Sequence, residues 1–230
     1  GDYIWTQGVN EFMFHRYAHQ ANTHVAPGMT MGPWGSHFDR TNTWWHNAGK
    51  AWFKYLSRGQ YLLRQGIPVS DFLIFPGDAS PSPYFNAKLP NYIKSDVTNT
   101  DVLINRIKVK NKTLVTPEGI TYQALIVGNI DRIELETLKR LEYISSQGVA
   151  IIGKKPSQLA QYYTTKNQQK EFNSLVKSIW GRARTYSKLK WKEILPELGV
   201  VADLLIDGED TANYIHRKTT NADIYFIHNP

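Results

Sequence analysis

Short apolar runs alternate along the chain with longer stretches in which apolar residues recur every three or four positions. The short runs are bounded by Gly, Pro or polar residues, which is typical of strands buried on both faces of a sheet. They cover residues 71–75, 122–127 and 149–152. The three- and four-residue spacing is typical of helices, and it covers residues 44–65, 168–180 and 191–198. Strands that alternate with helices predict an α/β fold built on a parallel sheet.

Weaker patterns add further elements to this prediction. Additional strands are expected at residues 9–17, 200–206 and 223–227. A hairpin is expected at residues 107–115, and helices at residues 99–105 and 131–147. Gly148 and Gly199 follow predicted helices as stop signals. Residues 21–43 are rich in Gly, Pro, Thr, Asn and His, which predicts a long loop of the kind that carries function.

The composition changes near residue 66, and this change marks the expected domain boundary. Aromatic and His residues are concentrated before it, whereas Lys, Leu and Ile dominate after it. The chain of 230 residues has 27 Lys and Arg, 20 Asp and Glu, and no Cys. The lack of Cys excludes disulfides, thiolate metal sites and thiol catalysis. The positive charges are scattered, which favours a solvated surface over a nucleic-acid site.

The ends of the chain and its apolar runs limit its location and partners. No apolar run reaches the roughly 20 residues needed to span a bilayer, so no membrane partner is expected. No signal peptide is present, and the chain begins abruptly on Gly1 inside patterned sequence. We therefore expect a fragment of a longer protein, with the remaining domains of that protein as its partners.

The residues that carry chemistry are concentrated in the first fifty positions. Five of the seven His and four of the seven Trp lie between Gly1 and Lys50, in clusters at residues 8–20 and 27–45. Neutral hydrogen-bonding groups, a few charges and broad aromatic faces separated by Gly suit a pocket for a polar, ring-shaped ligand. A sugar fits this description best, so the sequence predicts a carbohydrate substrate.

His15 and His19 lie four positions apart within the first cluster. On a helix this spacing would suggest a metal site. On the predicted strand the two side chains would lie roughly 13 Å apart, too far to share one ion. Hydrogen bonding to sugar hydroxyls is therefore the favoured role, a core histidine is the alternative, and no metal ligand is assigned.

Other candidates for substrate binding carry aromatic rings or charges. They are Arg16, Trp34, His37, Asp39, Arg40 and Trp44. Trp34 lies in a Gly-Pro-Trp-Gly turn and offers its ring for stacking on a sugar. Two adjacent Trp cannot both face one side of a helix, so one of Trp44 and Trp45 is expected in the core. Asp39 beside Arg40 also fits an ion pair.

Glycoside hydrolysis usually requires two carboxyl groups that flank the scissile bond. The N-terminal region offers Asp2, Glu11 and Asp39. Glu11 is the catalytic candidate of this chain, and a structural position at the rim of the site is its alternative.

The two N-terminal clusters resemble the large bacterial α-L-rhamnosidases of glycoside hydrolase family 106. Residues 8–20, 27–34 and 37–45 carry the resemblance, together with residues 215–217 and 222–229. It implies a (β/α)8 catalytic barrel, then a flavodoxin-like (Rossmann-like) α/β domain, then β-sandwich modules. Residues 1–65 would be the last strand and helix of the barrel, and residues 66–230 the flavodoxin-like accessory domain.

The resemblance also implies an inverting, calcium-dependent hydrolase with catalytic glutamates, at least one of them on an earlier barrel strand outside this chain. The chain would then contribute substrate-binding residues, hold no cofactor itself, and be inactive alone. A bacterial, periplasmic or extracellular location is a further expectation from the same resemblance. For the second domain, packing, contact with other domains and formation of a homo-oligomer are left open as structural roles.

Two other functions compete with this interpretation. The chain could be a non-catalytic α/β module for carbohydrate binding or assembly. It could also be a flavin- or nucleotide-binding protein, with residues 75–83 at the position of a phosphate-binding loop. This loop has neither the GxGxxG pattern nor the P-loop lysine, so a structural role is favoured for the second domain.

Overall fold

A computed structural model describes residues 1–15, 17–25, 38, 47–81, 85–205 and 212–229. The chain forms two compact units. Unit 1 comprises residues 1–67 and 211–230, and unit 2 comprises residues 68–210. The sequence-based division at residue 65 assigned everything after it to one domain. The structure instead groups the C-terminal residues with the N-terminal region.

The described residues form helices and strands with the following bounds. The helices are α1 (Asp2–Thr6), α2 (Gly49–Leu63), α3 (Thr100–Asn105), α4 (Leu135–Ser146), α5 (Lys166–Trp180) and α6 (Trp191–Leu198). The first strands are β1 (Ile67–Pro68), β2 (Phe72–Phe75), β3 (Ser95–Val97), β4 (Lys108–Lys110), β5 (Thr113–Val115), β6 (Thr121–Tyr122) and β7 (Ala124–Val127). They are followed by β8 (Arg132–Ile133), β9 (Ala150–Ile152), β10 (Gln158–Leu159), β11 (Thr185–Tyr186), β12 (Asn213–Lys218) and β13 (Asp223–His228).

Unit 2 is built on a parallel sheet. Within the described residues its five strands lie in the order β3-β2-β7-β9-β11, and every neighbouring pair is parallel. Numbered by their appearance along the chain, these strands are arranged 2-1-3-4-5. The runs predicted at residues 71–75, 122–127 and 149–152 form β2, β7 and β9, which confirms an α/β fold with a parallel sheet.

Side chains alternate along each strand, so successive residues point to opposite faces of this sheet. Both faces are buried. Leu73, Phe75 and Leu125 lie in the core on the face covered by α3, α4 and α5. Phe72 and Ile74 lie on the opposite face, in a core that includes residues of α6. On that face the indole of Trp191 stacks on Phe72 and donates from Nε1 to the Ala87 carbonyl at 3.0 Å. Full burial of one Leu, Ile or Phe side chain in these cores stabilises the fold by about 1.5–3 kcal/mol.

The helix boundaries follow mostly from local chemistry. The Asn99 side chain caps α3 by accepting from the Val102 N–H at 2.9 Å. Gly199 ends α6 with a left-handed φ of +69°. The helix expected from residue 131 begins later, at Leu135, because residues 132–133 pair with β10 as a short parallel strand.

The hairpin predicted at residues 107–115 is confirmed by β4 and β5. Asn111 and Lys112 have φ values of +51° and +61°. Positive φ at both central positions is the geometry of the tight turn that best matches the twist of paired strands.

The strand predicted at residues 9–17 is wrong for its described residues. Apart from an isolated bridge between Tyr17 and Phe38, the described part of this segment has no strand. The Phe12 N–H donates to the side chain of Gln60 instead of a neighbouring strand, and Met13 is 93% exposed. The last barrel strand expected in residues 1–65 is thus not formed in the described residues, whereas the expected helix is present as α2.

The strand predicted at residues 200–206 is also wrong, as far as residue 205. Val201 and Leu205 are 79% and 72% exposed, so these apolar side chains gain no burial that would favour a strand. Ile206 lies outside the described residues.

Unit 1 has a small core centred on Trp5, which is fully buried. Leu56 and Leu63 of α2 pack in this core, and Ile215 and Phe226 of the β12–β13 hairpin pack against it. This packing explains why the C-terminal residues belong to unit 1.

A buried guanidinium reinforces this arrangement. Arg217 donates to the carbonyls of Gln65 and Gly66 at 2.6 and 2.7 Å, which joins β12 to the end of α2. In the described part of the chain, no helix combines the length and apolar composition needed to cross a bilayer.

Candidate functional site

Aromatic rings position the histidine segment, defined as residues 9–25. The ring of Phe12 lies 5.9 Å from that of Trp5, measured between centroids. Phe14 lies 5.4 Å from Trp52 and 6.0 Å from Phe53 on α2. Each such aromatic pair contributes about 0.5–1.5 kcal/mol beyond its burial. The alternating aromatic residues therefore pack the segment onto a helix instead of forming a strand.

Polar contacts fix the backbone of the same segment. The Phe12 N–H donates to Gln60 Oε1 at 3.0 Å. The Ala18 N–H donates to the carbonyl of Phe38 at 3.1 Å. The side chain of Gln20 is buried. The backbone of the segment is therefore held at Phe12 and at Ala18.

His15 lies between Phe12 and Ala18 in the sequence, and His19 follows Ala18. Both histidines are exposed. A neutral imidazole offers one donor and one acceptor, which suits the hydroxyl groups of a sugar. Among the described residues, no group of three or more His, Cys, Asp or Glu is placed to hold a metal ion. The assignment of these two histidines to sugar binding stays a prediction.

Glu11 forms an ion pair with Arg64, with 3.4 Å between Oε1 and Nη1. Both side chains are 56% exposed. An exposed pair of this kind contributes at most about 1 kcal/mol, but it fixes the carboxylate beside the end of α2. This geometry fits the structural alternative for Glu11 better than a catalytic role.

The other predicted binding residues lie outside the described residues. They are Arg16, Trp34, His37, Asp39, Arg40 and Trp44. Their assignment to substrate binding stays a prediction.

The C-terminal hairpin contains a buried histidine with a carboxylate partner. His216 Nε2 donates to Asp223 Oδ1 at 2.9 Å, and its ring stacks on Tyr225 at 4.1 Å. Lys218 Nζ lies 3.4 Å from the same carboxylate oxygen. The hydrogen bond from His216 is the main reason why the pKa of Asp223 lies below its ordinary value. The cluster thus joins the two strands of the hairpin at their turn.

In unit 2, Asp78 lies directly after β2, at the carboxyl edge of the sheet. Ligands of open α/β sheets usually bind at this edge. Asp78 Oδ2 accepts from the Glu134 N–H at 2.9 Å, and Oδ1 accepts from the hydroxyls of Thr100 and Thr137 at 2.9 and 2.5 Å. A carboxylate therefore occupies the place where a phosphate would meet the start of a helix.

Comparison with known proteins identifies the family. The family model of glycoside hydrolase family 106, described as alpha-L-rhamnosidase, matches residues 1–230. The chain belongs to this family. The resemblance seen in the N-terminal clusters is thereby confirmed.

Two relatives place the chain within longer proteins. A protein of Formosa agariphila, provisionally named a beta-glucuronidase, is 36% identical over 237 residues, which are all of this chain and 20% of that protein. The solved structure of a rhamnosidase from Novosphingobium sp. PP1Y matches with a TM-score of 0.85 and 23% identity, over 97% of this chain and 23% of that one. The chain therefore spans about a fifth of the length of these relatives, and the second likeness shows that the fold is shared.

Sequence reasoning missed two contacts that hold these regions together. It left His216 without a partner, although a hairpin with its turn after Lys218 brings Asp223 close to it. It considered residues 75–83 only as a phosphate loop, although Asp78 accepts from the N–H of Glu134 before α4 and from the hydroxyl of Thr100 at the start of α3. In both cases the contact could have been inferred from the order of the helices and strands along the chain, and no short sequence motif marks it.

Proposed function

We propose that this chain is part of a glycoside hydrolase that cleaves α-L-rhamnosyl or related linkages in polysaccharides. The match of the family model to all 230 residues carries this proposal. The names of the two relatives support the broader class, since one is a rhamnosidase and the other carries a glucuronidase name. They differ in the sugar, so the substrate has to be tested with both.

The proposed architecture is the end of a (β/α)8 barrel followed by a flavodoxin-like domain. Helix α2 is the proposed last helix of the barrel. In unit 2 the strand arrangement 2-1-3-4-5 is that of flavodoxin-like folds. The blocked phosphate position at Asp78 supports a structural role for this domain instead of cofactor binding.

In this proposal the histidine segment forms one wall of the substrate site. His15 and His19 bind sugar hydroxyls, and substrate binding by Arg16, Trp34, His37, Asp39, Arg40 and Trp44 stays a prediction. Inversion requires two carboxyl groups about 6.5–9.5 Å apart, with a water molecule between one of them and the anomeric carbon. We assign both carboxyl groups to the remainder of the enzyme, because Glu11 is paired with Arg64.

Two expectations from the family complete the proposal. The first is calcium dependence. Among the described residues, no group of three or more acidic or His side chains is placed to bind a metal ion, so no step is assigned to calcium here. A bacterial, periplasmic or extracellular location fits an enzyme that acts on polysaccharides.

The test is hydrolysis of p-nitrophenyl α-L-rhamnoside and p-nitrophenyl β-D-glucuronide, with and without calcium. The 230-residue chain and the longer protein that contains it are assayed side by side. Activity of the longer protein alone on the rhamnoside would support the proposal. Activity of the chain alone would contradict it and return Glu11 to the catalytic role. Inactivity of both on both substrates would favour a non-catalytic carbohydrate-binding module.

A second measurement tests the histidines in the longer protein. His15→Ala and His19→Ala are expected to raise KM for the rhamnoside by about tenfold each, the cost of losing one or two hydrogen bonds. His24→Ala is the matched control, since His24 is another exposed histidine of the same segment.

A further inference from the structure

The C-terminal hairpin of unit 1 places one long strand at the edge of its sheet. The strand order is β1-β12-β13, and among the described strands β13 pairs with β12 alone. β13 is six residues long, whereas the other edge strands in the described part of the chain have two or three residues. Short edge strands offer few backbone groups to another chain. β13 is therefore the exception in this molecule.

The register of the hairpin determines which backbone groups of β13 are directed away from β12. Next to the turn, the Thr219 N–H donates to the Ala222 carbonyl at 2.9 Å, so these two residues form a hydrogen-bonded pair. Such pairs alternate with non-bonded pairs along an antiparallel ladder. The even-numbered residues of β13 thus bond to β12, and the odd-numbered residues direct their N–H and C=O groups outward.

β13 has none of the features that usually protect an edge strand. It contains no Pro and no Lys, and its register with β12 runs through six consecutive pairs without a bulge. Its one acidic residue, Asp223, is bound by His216 and Lys218 of the neighbouring strand. Ile227 is 50% exposed and has outward backbone groups. An unprotected, apolar edge of this kind is a surface to which another strand can be added.

The size of this edge indicates what covers it. Six residues of strand are about 20 Å long, and pairing two such edges buries on the order of 400 Å² in total. A stable interface between separate molecules needs about 1,000 Å² or more, which disfavours a second copy paired through this edge alone. A segment of the same polypeptide needs less, because covalent linkage gives it an effective concentration in the millimolar range. The chain covers only 20% and 23% of its longer relatives, so such segments are abundant.

We propose that β13 accepts a further strand from the part of the longer protein outside these 230 residues. The added segment is extended, bonds to the outward groups of the odd-numbered residues and places an apolar side chain beside Ile227. On the opposite face it lies beside Phe226, which packs against the Trp5 core. The sheet of unit 1 is thereby continued by the rest of the enzyme, whichever sugar the enzyme hydrolyses.

Amide hydrogen exchange at single-residue resolution tests this pairing. It is measured by mass spectrometry on the 230-residue chain and on the longer protein that contains it. The amide of Ile227 should exchange fast in the chain and at least about tenfold more slowly in the longer protein. The amide of Phe226 bonds to β12 and should be slow in both, which provides an internal control.

Proline variants distinguish a paired strand from a surface that is only covered. Ile227→Pro removes an outward N–H, which an edge strand tolerates, so the 230-residue chain should keep its thermal unfolding midpoint. In the longer protein the same substitution should lower the midpoint by about 2–4 °C, because the added strand loses a hydrogen-bond donor. Ile224→Pro is the matched control, since its N–H is directed at β12 and its loss should destabilise both proteins.

Several results would overturn the proposal. They are fast exchange of Ile227 in both proteins, slow exchange in both, or an unchanged midpoint of the longer protein with Ile227→Pro. A dimer of the 230-residue chain in sedimentation, dissociated by Ile227→Pro, would make a second copy the occupant instead. None of these measurements uses hydrolysis, so their failure would leave the proposed function standing, and the loss of that function would leave the pairing standing.

Discussion

The buried position of the Trp5 ring depends on the lack of a side chain at Gly59 of α2. A Cβ atom at Gly59 of α2 would lie 2.3 Å from the tip of the Trp5 indole and 2.8 Å from two further ring atoms. The indole is fully buried and has no room to move away. Glycine at this position is therefore required by the close approach of the ring to the helix.

We predict that Gly59→Ala destabilises unit 1 by about 1–3 kcal/mol, as over-packing of a core usually does. In the absence of a clash, alanine would stabilise the helix by about 1 kcal/mol relative to glycine. A loss of stability would therefore be due to the clash with Trp5. Urea unfolding measures the effect. Ser57→Ala, at an exposed position of the same helix, is expected to be neutral or slightly stabilising. A stabilised Gly59→Ala would contradict the described packing.

Asp78 is a second residue whose contacts define a prediction. In Asp78→Asn one oxygen becomes an NH₂ group, which cannot accept from the Glu134 N–H or, if rotated, from the two threonine hydroxyls. Thr137 is fully buried, so a lost partner leaves it unsatisfied.

We expect Asp78→Asn to lower the free energy of unfolding by about 1–3 kcal/mol. Asp131→Asn is the matched control, because the Asp131 carboxylate contacts Lys154 in an exposed ion pair, whose loss should cost less than about 1 kcal/mol. Equal effects of the two substitutions would show that Asp78 does not organise the sheet edge.

At the scale of elements, the contact of α4 with the segment after α5 depends on a charge pair. Both terminal nitrogens of Arg182 donate to the Glu142 carboxylate at 2.6 Å. Ser178 donates to the same group at 3.1 Å. The hydrogen bond from Arg182 is the main cause that holds the pKa of Glu142 below its ordinary value of 4.5, although burial acts in the opposite direction.

This lowered pKa gives stability a pH dependence of known sign. The pair stabilises the folded chain fully above the unfolded pKa near 4.5, and this contribution is lost as the pH falls through the lower, folded pKa. Glu142→Gln should therefore be less stable than the unaltered chain at pH 7, and the difference should shrink below pH 4.5. Urea unfolding at several pH values measures both. A difference that does not vary with pH would contradict this.

Strands buried on both faces of the sheet were predictable, whereas the edge strand β3 was not. β2, β7 and β9 are continuous apolar runs because helices cover both sides of the sheet. β3 is a partly exposed edge strand of sequence Ser-Asp-Val, and its composition gives no strand signal. The strand prediction for residues 9–17 was wrong because aromatic residues of this segment contact a helix. No local sequence pattern specifies that contact.

The candidate site was predictable only in part for a similar reason. The resemblance identified the family correctly, and the pattern located His15 and His19 in a chemically rich segment. The strand spacing assumed for them does not exist, because side-chain packing on α2 determines the path of the segment.

At the scale of the whole molecule, the two units have separate cores. The core residues of unit 2 all lie between residues 72 and 200, and those of unit 1 come from both ends of the chain. Each unit therefore contains the burial that stabilises it.

We predict that a polypeptide of residues 68–210 folds alone. Circular dichroism and tryptophan fluorescence should show one coincident unfolding transition in urea, and amide exchange should be slowest in β7 and β9. A chain that ends before residue 212 is the matched comparison, and we expect it to expose Trp5 because Ile215 and Phe226 are removed. Failure of residues 68–210 to unfold cooperatively would show that unit 2 needs unit 1.

The split origin of the Trp5 core also determines when it can form during biosynthesis. About 210 residues separate Trp5 from the hairpin that completes its surroundings, which a ribosome adding roughly 5–20 residues per second needs on the order of 10–40 s to make. Throughout this delay the aromatic rings of the N-terminal region have no complete core to enter, while the intervening sheet is already synthesised. Newly made chains should therefore present these rings to chaperones until the β12–β13 hairpin has left the ribosome.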